Sequence, residues 1–275
     1  MQLLLLNLLN LLKILNLKIS FSKYQGAGND FVMIDNRNQS FVASIPLVRK
    51  LCDRHFGIGA DGLILLQNDD SEDFRMIYFN SDGKPGSMCG NGGRCIVGFA
   101  RDLGLIEKET RFVAPDGLHH AVIENDEFIS LSMCDVGEIE IYPTHCFLDT
   151  GSPHHIEFVE EVNEVDVKNK GRKIRYGTPY CETGSNVNFV QIINPNTIKI
   201  RTYERGVEDE TLACGTGITA AAIAAYDSGR INVNEVNALA VGGELKVSFT
   251  KNNGHYENIR LGGPAKVVFN GEIEI

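Results

Sequence analysis

Short runs in which apolar and polar residues alternate, or in which β-branched and aromatic residues crowd together, recur along most of the chain. KISFSKYQG, FVMIDN, GLILLQ and FRMIYFN in the first half, and NFVQIIN, TIKIRTYE, ELKVSF and AKVVFNGEIEI in the second, predict strands. Helical periodicity is rarer. SIPLVRKLCDRHFG carries Pro46 early and Gly57 where a C-cap belongs, and the small, apolar segments that follow Cys89 and Cys214 predict two more helices, the second closed by Gly229.

Those last two segments are variants of one pattern. MCGNGGRCIVGFA (residues 88–100) and ACGTGITAAAIAA (residues 213–225) each set a cysteine before Gly-x-Gly and a helix-forming run, at an offset of 125 (214 minus 89). Gly26 and Gly151, and Gly117 and Gly242, share that offset, and Asn80 falls one residue short of it from Glu204. An internal duplication is the economical description. The predicted fold is α+β: two pseudo-symmetric domains, each a mostly antiparallel sheet wrapped around a central helix, with a cleft between them. The expected boundaries are an atypical leucine-rich extension at 1–17, a first domain at 18–134 joined by a C-terminal strand at 263–275, and a second domain at 135–262.

At 275 residues and 43% hydrophobic composition, the chain can bury two ordinary cores. The net charge of −10, with no lysine or arginine run, excludes the phosphate-neutralising patch of a nucleic-acid binder. Seven cysteines form an odd set without a C-x-x-C pair, which disfavours a disulfide framework or a structural metal site and suits reduced thiols in the cytoplasm. Cys52, Cys95, Cys134, Cys146 and Cys181 read as packing residues. The extension MQLLLLNLLNLLKILNLKIS is interrupted by Asn7, Asn10, Lys13 and Asn16, falls short of the ~20 apolar residues of a span, and lacks the basic start and cleavage site of a signal peptide. It reads as low-complexity sequence ahead of a domain beginning near Lys18, with a membrane-surface helix as the alternative. No stable membrane association is expected.

GIGADG at residues 57–62 matches G-x-G-x-x-G by letters, but a helix precedes it and a strand follows, the reverse of a dinucleotide site. The two cysteines carry more. A cysteine at a helix N-terminus sits beside free N–H groups and the positive end of the macrodipole, which favour thiolate and can also hold a carboxylate. One such element is a nucleophile or an anion site. Two, facing each other across a cleft, can remove a proton from one face of a carbon and deliver one to the other, exchanging roles in the reverse direction. With each sulfur at the roughly 3 to 3.5 Å of a near-attack geometry, the sulfurs would stand about 6 to 7 Å apart. No lysine sits in a motif suited to pyridoxal phosphate, so no cofactor is implied, and charge developing on a substrate carboxylate would be met by the amides of the CGNG and CGTG mouths.

At these residues the chain resembles the diaminopimelate epimerase family, whose members interconvert LL- and meso-diaminopimelate without a cofactor on the route to lysine and peptidoglycan. The resemblance runs from about Lys18 to the C-terminus through GAGNDF, GIGADG, FNSDG, MCGNGGRC, GSPHH, SNVNFV, YERGVEDETLACGTG and a terminal Gly-Gly-x-Ala strand. It implies Cys89 and Cys214 as the acid/base pair, and Asn29, Asn80, Asn186, Glu204 and Arg205 in substrate binding, Arg205 holding a carboxylate. Gly90, Asn91, Gly215 and Thr216 would supply amide contacts to a substrate carboxylate, and His154 and Glu204 would tune thiol ionisation. The family also implies a homodimer. Three positions depart from its pattern: Ser152 replaces an asparagine, Gly62 stands where some members carry glutamine, and the VEDE spacer is a residue longer than in some members.

Taken singly, the asparagines could be turn formers, Glu204 and Arg205 a solvated pair, and the two histidines surface residues. The nearest competing activity is a proline or hydroxyproline racemase, which also uses two cysteines but needs no second set of anchors for a distant ammonium and carboxylate. A non-catalytic ligand-binding relative would typically lose one cysteine, and both stand here.

Overall fold

The computed structural model describes residues 18–125 and 127–274, so the leucine-rich extension at 1–17 lies outside the described residues. The first half holds β1 (Lys18–Gly26), β2 (Asn29–Asp35), helix α1 (Ile45–Cys52), β3 (Gly62–Gln67), β4 (Phe74–Asn80), helix α2 (Gly90–Asp102), β5 (Glu109–Ala114), β6 (Gly117–Asn125) and β7 (Phe128–Ser132). After the short β8 (Glu140–Ile141), the plan recurs as β9 (Cys146–Asp149), β10 (Pro153–Phe158), helix α3 (Val167–Tyr176), β11 (Asn186–Asn194), β12 (Thr197–Glu204), β13 (Asp209–Thr211), helix α4 (Gly215–Asp227), β14 (Glu235–Ala240), β15 (Gly243–Asn252) and β16 (His255–Pro264). The last strand, β17 (Lys266–Glu274), returns to pair with β1.

The duplication is visible in the ladders. β2–β3 and β4–β5 are parallel in the first half, as are β10–β11 and β12–β14 in the second, among otherwise antiparallel pairings. α2 and α4 begin 125 residues apart, at Gly90 and Gly215. The hairpin glycines align differently from their sequence offset. Gly117 closes its hairpin opposite Ala114 as Gly243 does opposite Ala240, both at positive φ, so its partner is Gly243 rather than Gly242.

Each half is a sheet with one helix inside its curl and one outside, and the strand sequences show why. GLILLQ is apolar throughout because both faces are covered: Ile64 and Leu66 pack with the α2 residues Ile96 and Val97, while Leu63 and Leu65 pack with Val48 and Leu51 of α1. In the second half Val190, Ile198 and Ile200 face α4, and Val187, Phe189 and Tyr203 face Val167 of α3. α4 is buried from Gly217 through Ala225, so it must be built of small and aliphatic residues.

α3 is absent from the hydrophobic pattern, because VKNKGRKIRY is polar and buries only Val167, Gly171 and Arg175; its signal is the Asp166 side chain accepting from the Asn169 amide. α1 stops at Cys52 rather than near Gly57, because the Asp53 carboxylate captures the His55 and Phe56 amides. Gly57 is needed for close approach rather than for capping: a Cβ there would overlap the Lys50 carbonyl oxygen and stand 2.8 Å from that of Leu51. Cys52, Cys95 and Cys146 are buried as expected, but Cys134 and Cys181 are exposed, lying in irregular segments that cover no core.

The halves are stitched by β16, which pairs with β15 on one side and with β7 on the other. That seam brings the N-termini of α2 and α4 together.

Candidate active site

Cys89 and Cys214 are the N-cap residues of α2 and α4, with extended backbones (φ −113° and −99°) and without a conventional side-chain capping bond. The two helix mouths abut. A Cβ on Gly215 would stand 3.9 Å from the Gly90 Cα and 2.8 Å from Leu261 Cδ2, so glycine is what allows this approach. Asn91, inside the first turn of α2, crosses between the halves and donates from Nδ2 to the Ala213 carbonyl at 3.0 Å.

Around Cys89 the thiol donates to Asn29 Oδ1 at 3.6 Å, and Asn91 Nδ2 reaches the same oxygen at 3.4 Å. Asn29 is in turn held by Asp61 of GIGADG, and Arg54 grips Asp30 with two bonds of 2.8 and 3.0 Å and Asp61 with one of 2.8 Å. The glycine-rich motif between α1 and β3 therefore serves to deliver Asp61 to Asn29. Around Cys214 the nearest partner is the Thr216 hydroxyl at 3.5 Å.

Burial is the main cause of both thiols being less acidic than usual. It raises Cys89, opposed by the Gly92 and Asn91 amides and by Arg94. It pushes Cys214 up to about 12, with Glu204 adding to the rise and Thr216 and the Gly217 amide opposing it. Glu204 is itself held above the ordinary carboxylate range by burial, against a 2.9 Å bond from the Thr211 hydroxyl, and its charge bears on both sulfurs.

Asn186 and Arg205 form a second group. Asn186 Nδ2 donates to Ser152 Oγ at 2.9 Å and its Oδ1 accepts from the Arg205 amide at 2.8 Å, while the Arg205 guanidinium reaches Ser152 Oγ at 3.4 Å and the Thr183 carbonyl at 3.1 Å. Ser152 is thus bonded into the cluster. Asn80 ends β4 opposite Gly62, is exposed, and its side chain makes no hydrogen bond among the described residues. Gly62 is forced by Tyr78, whose ring would stand 2.5 Å from a Cβ there, so the space of a longer residue is already taken.

His154 and His155 are buried rather than at the surface. Asn188 Nδ2 donates to His154 Nδ1 at 3.1 Å, Thr202 donates to Asn188 Oδ1 at 2.9 Å, and a Cβ on Gly217 would overlap that oxygen while standing 3.3 Å from the Cys214 sulfur. Gly217 thus lies between the His154–Asn188 pair and the second cysteine. Sequence reading missed Asn188, Asp61, Arg94 and Tyr78. SNVNFV held the signal for the first, since strand alternation puts residues 186 and 188 on one face.

Burial pushes both histidines down to about 3, with Arg205 adding to the effect on His154 and His145 to that on His155. The unfolded chain binds these protons near pH 6.5 and the folded one does not, so the protonation-linked penalty is absent above that pH and erodes stability as pH falls from 6.5 towards 3. Each contributes a slope of about 1.4 kcal/mol per pH unit, and Glu204, raised in the fold, runs the opposite way. Urea midpoints measured from pH 7 to pH 4 should fall steadily, and His155→Phe, which keeps a ring for the 4.3 Å stack on His145, should make the fall shallower by one histidine's share. An unchanged slope would show that His155 is not buried neutral.

Among the described residues, no group of three or more His, Cys, Asp or Glu is placed to hold a metal, and no helix is long and apolar enough to cross a membrane.

The duplicated two-domain α+β fold is one seen in solved structures. A phenazine biosynthesis protein of the PhzF family from Bacillus anthracis matches with a TM-score of 0.73 at 15% identity, covering 94% of this chain and 100% of that one. A probable proline racemase from Agrobacterium radiobacter matches at 0.66 and 16%, covering 93% and 92%. At such identity the likeness is one of fold. Sequence narrows it. A family model described as diaminopimelate epimerase matches residues 21–138 and 146–268. The diaminopimelate epimerase of Flavobacterium psychrophilum is 56% identical over 248 residues, covering 90% of this chain and 97% of the relative, and that of Chlorobaculum tepidum is 44% identical over 258 residues, covering 91% and 99%. The chain belongs to the diaminopimelate epimerase family.

Proposed function

We propose that this protein epimerises LL-diaminopimelate to the meso form by a two-base mechanism without a cofactor, serving lysine and peptidoglycan synthesis. The observation that carries the reading is the abutment of two cysteine-capped helix mouths, Gly90 against Gly215, with Glu204 bearing on both sulfurs. One cysteine takes the α-proton while the other gives a proton to the opposite face. The first-turn amides of both helices, at Gly90, Asn91, Gly215 and Thr216, receive the α-carboxylate, whose charge grows as the carbon is deprotonated. Asn29, Asn80, Asn186 and Arg205 orient the rest of the substrate, the last by its fork of donors, and His154 acts on Cys214 through Asn188.

The reading divides the chain at 18–134 with 263–275, and at 135–262. It also takes the protein as cytoplasmic, in keeping with seven free cysteines, and as a homodimer, in keeping with the exposed Val267, Val268 and Phe269 on β17, which pairs with β1 alone among the described strands.

The test is mass-detected deuterium incorporation at the α-carbon in D2O, with LL-diaminopimelate in one tube, L-proline in another and no pyridoxal phosphate added. Exchange with diaminopimelate alone, accompanied by the meso isomer, is expected. Exchange with proline would move the chain to the racemase chemistry, and silence in both tubes would leave a ligand-binding protein.

A further inference from the structure

Arg94 is the largest fully buried side chain of the fold, 0% exposed, and no carboxylate pairs with it among the described residues. Its guanidinium donates to Asn91 Oδ1 at 2.6 Å and more weakly to the Pro264 carbonyl at 3.5 Å, and Nη1 is buried with no partner. A cation in such a place is costly to desolvate and calls for a nearby negative charge. The anionisable groups whose charge bears on it are Cys95 and Cys89. Cys95 is fully buried beside Gly26, whose Cβ would stand 3.1 Å from its sulfur, whereas Cys89 opens at the helix mouth.

The connection to Cys89 is also structural. Arg94 holds Asn91, Asn91 bonds Asn29 Oδ1, and that oxygen accepts from the Cys89 thiol. The duplicated helix lacks the device. The residue 125 positions on from Arg94 is Thr219, buried and neutral, its hydroxyl turned back on the Gly215 carbonyl at 3.0 Å. Of the other groups facing the cysteines, Glu204 from β12 opposes ionisation of each and Tyr78 from β4 looks onto Cys89, while the Asn91 and Gly92 amides favour the Cys89 thiolate and the Thr216 hydroxyl and Gly217 amide favour that of Cys214; none of these carries a positive charge.

We propose that Arg94 is a positioning residue that breaks the equivalence of the two cysteines, its buried, carboxylate-free guanidinium making Cys89 the first of the pair to lose its proton. A symmetric fold thereby starts each cycle from a defined thiolate and thiol. The inference rests on the two-cysteine reading, but its test needs no substrate, so it stands or falls separately from the epimerase assay.

The experiment is site-resolved alkylation of the purified full chain by iodoacetamide across about pH 6 to 11, with Cys89 and Cys214 quantified by mass spectrometry. The readout is the pH midpoint of each profile, which the different exposure of the two thiols does not move. In the wild type the Cys89 midpoint lies below that of Cys214. Arg94→Met removes the charge at similar length. It should raise the Cys89 midpoint by about one unit or more, a tenfold loss of thiolate below it, with Cys214 unmoved or lowered, while Arg94→Lys recovers most of the difference. An unchanged Cys89 midpoint in a folded Arg94→Met protein overturns the proposal. Where that variant fails to fold, the wild-type profiles decide: Cys214 ionising with or before Cys89 overturns it too.

Discussion

Cys89→Ala and Cys214→Ala should each lower epimerisation of LL-diaminopimelate by about 10²- to 10⁴-fold, the range over which a positioned acid or base contributes. The effect should be similar for both, since inversion needs a proton removed from one face and another delivered to the opposite face, and no second group stands in for either. Asn29 and Thr216, the side-chain partners of the two sulfurs, are not bases at neutral pH. Glu204 is held by Thr211 and bears on both thiols rather than replacing one. Stability should change by only about 1 kcal/mol, because each thiol is small and its hydrogen bonds are long. Binding should persist in part, since the helix-mouth amides are untouched. Kinetics of both variants beside a thermal unfolding curve separate these quantities, and turnover within tenfold of wild type by either variant would remove the two-base assignment.

What could be read in the sequence was whatever depends on local pattern or on self-similarity. The starts of α2 and α4 after Cys89 and Cys214 follow from small apolar residues behind a glycine-flanked cap, and the offset of 125 needs no structure to see. α3 was hidden because a helix lying on the outside of the sheet covers only a narrow strip, Gly171 against the Tyr203 ring, and the rest of its surface is solvated. The supporting residues of the site were hidden for a different reason. Asp61 reaches Asn29 only because β2 and β3 pair in parallel, with Phe31 opposite Gly62. Tyr78 excludes a side chain at Gly62 through the next strand's register, and Arg94 acquires meaning only when, among the described residues, no carboxylate proves to pair with it. Registers and absences of partners are tertiary facts, and no window of residues contains them.

Gly242→Ala should abolish most turnover while leaving both cysteines in place. Gly242 lies in the turn between β14 and β15, in the second half, and its backbone is pressed on the Ala27 peptide of the first: a Cβ there would overlap the Ala27 carbonyl oxygen and stand 2.7 Å from its carbon. The obstacle is backbone, so no rotamer change relieves it. Ala27 is itself fully buried at a left-handed φ of 50°, and the following Gly28, at φ +86°, is packed so that a Cβ would meet Leu212 Cδ1 at 2.7 Å. The Gly242 amide also donates to the Leu212 carbonyl at 2.8 Å, which fixes the second half's side of the contact. The turn at Ala27 must therefore retreat, and it leads directly into Asn29, the residue that accepts from the Cys89 thiol and from Asn91. An ångström-scale displacement of reacting groups costs about 10²-fold in rate, and that is the expected loss, with the circular dichroism of the folded chain retained. Gly229→Ala is the matched control: it strains a positive φ of 70° but meets nothing within 4 Å, so it should cost stability and spare turnover. If Gly242→Ala turns over within threefold of wild type, the contact between these two turns does not set the distance between the cysteines, and the seam at β7 and β16 with the Asn91–Ala213 bond must do so.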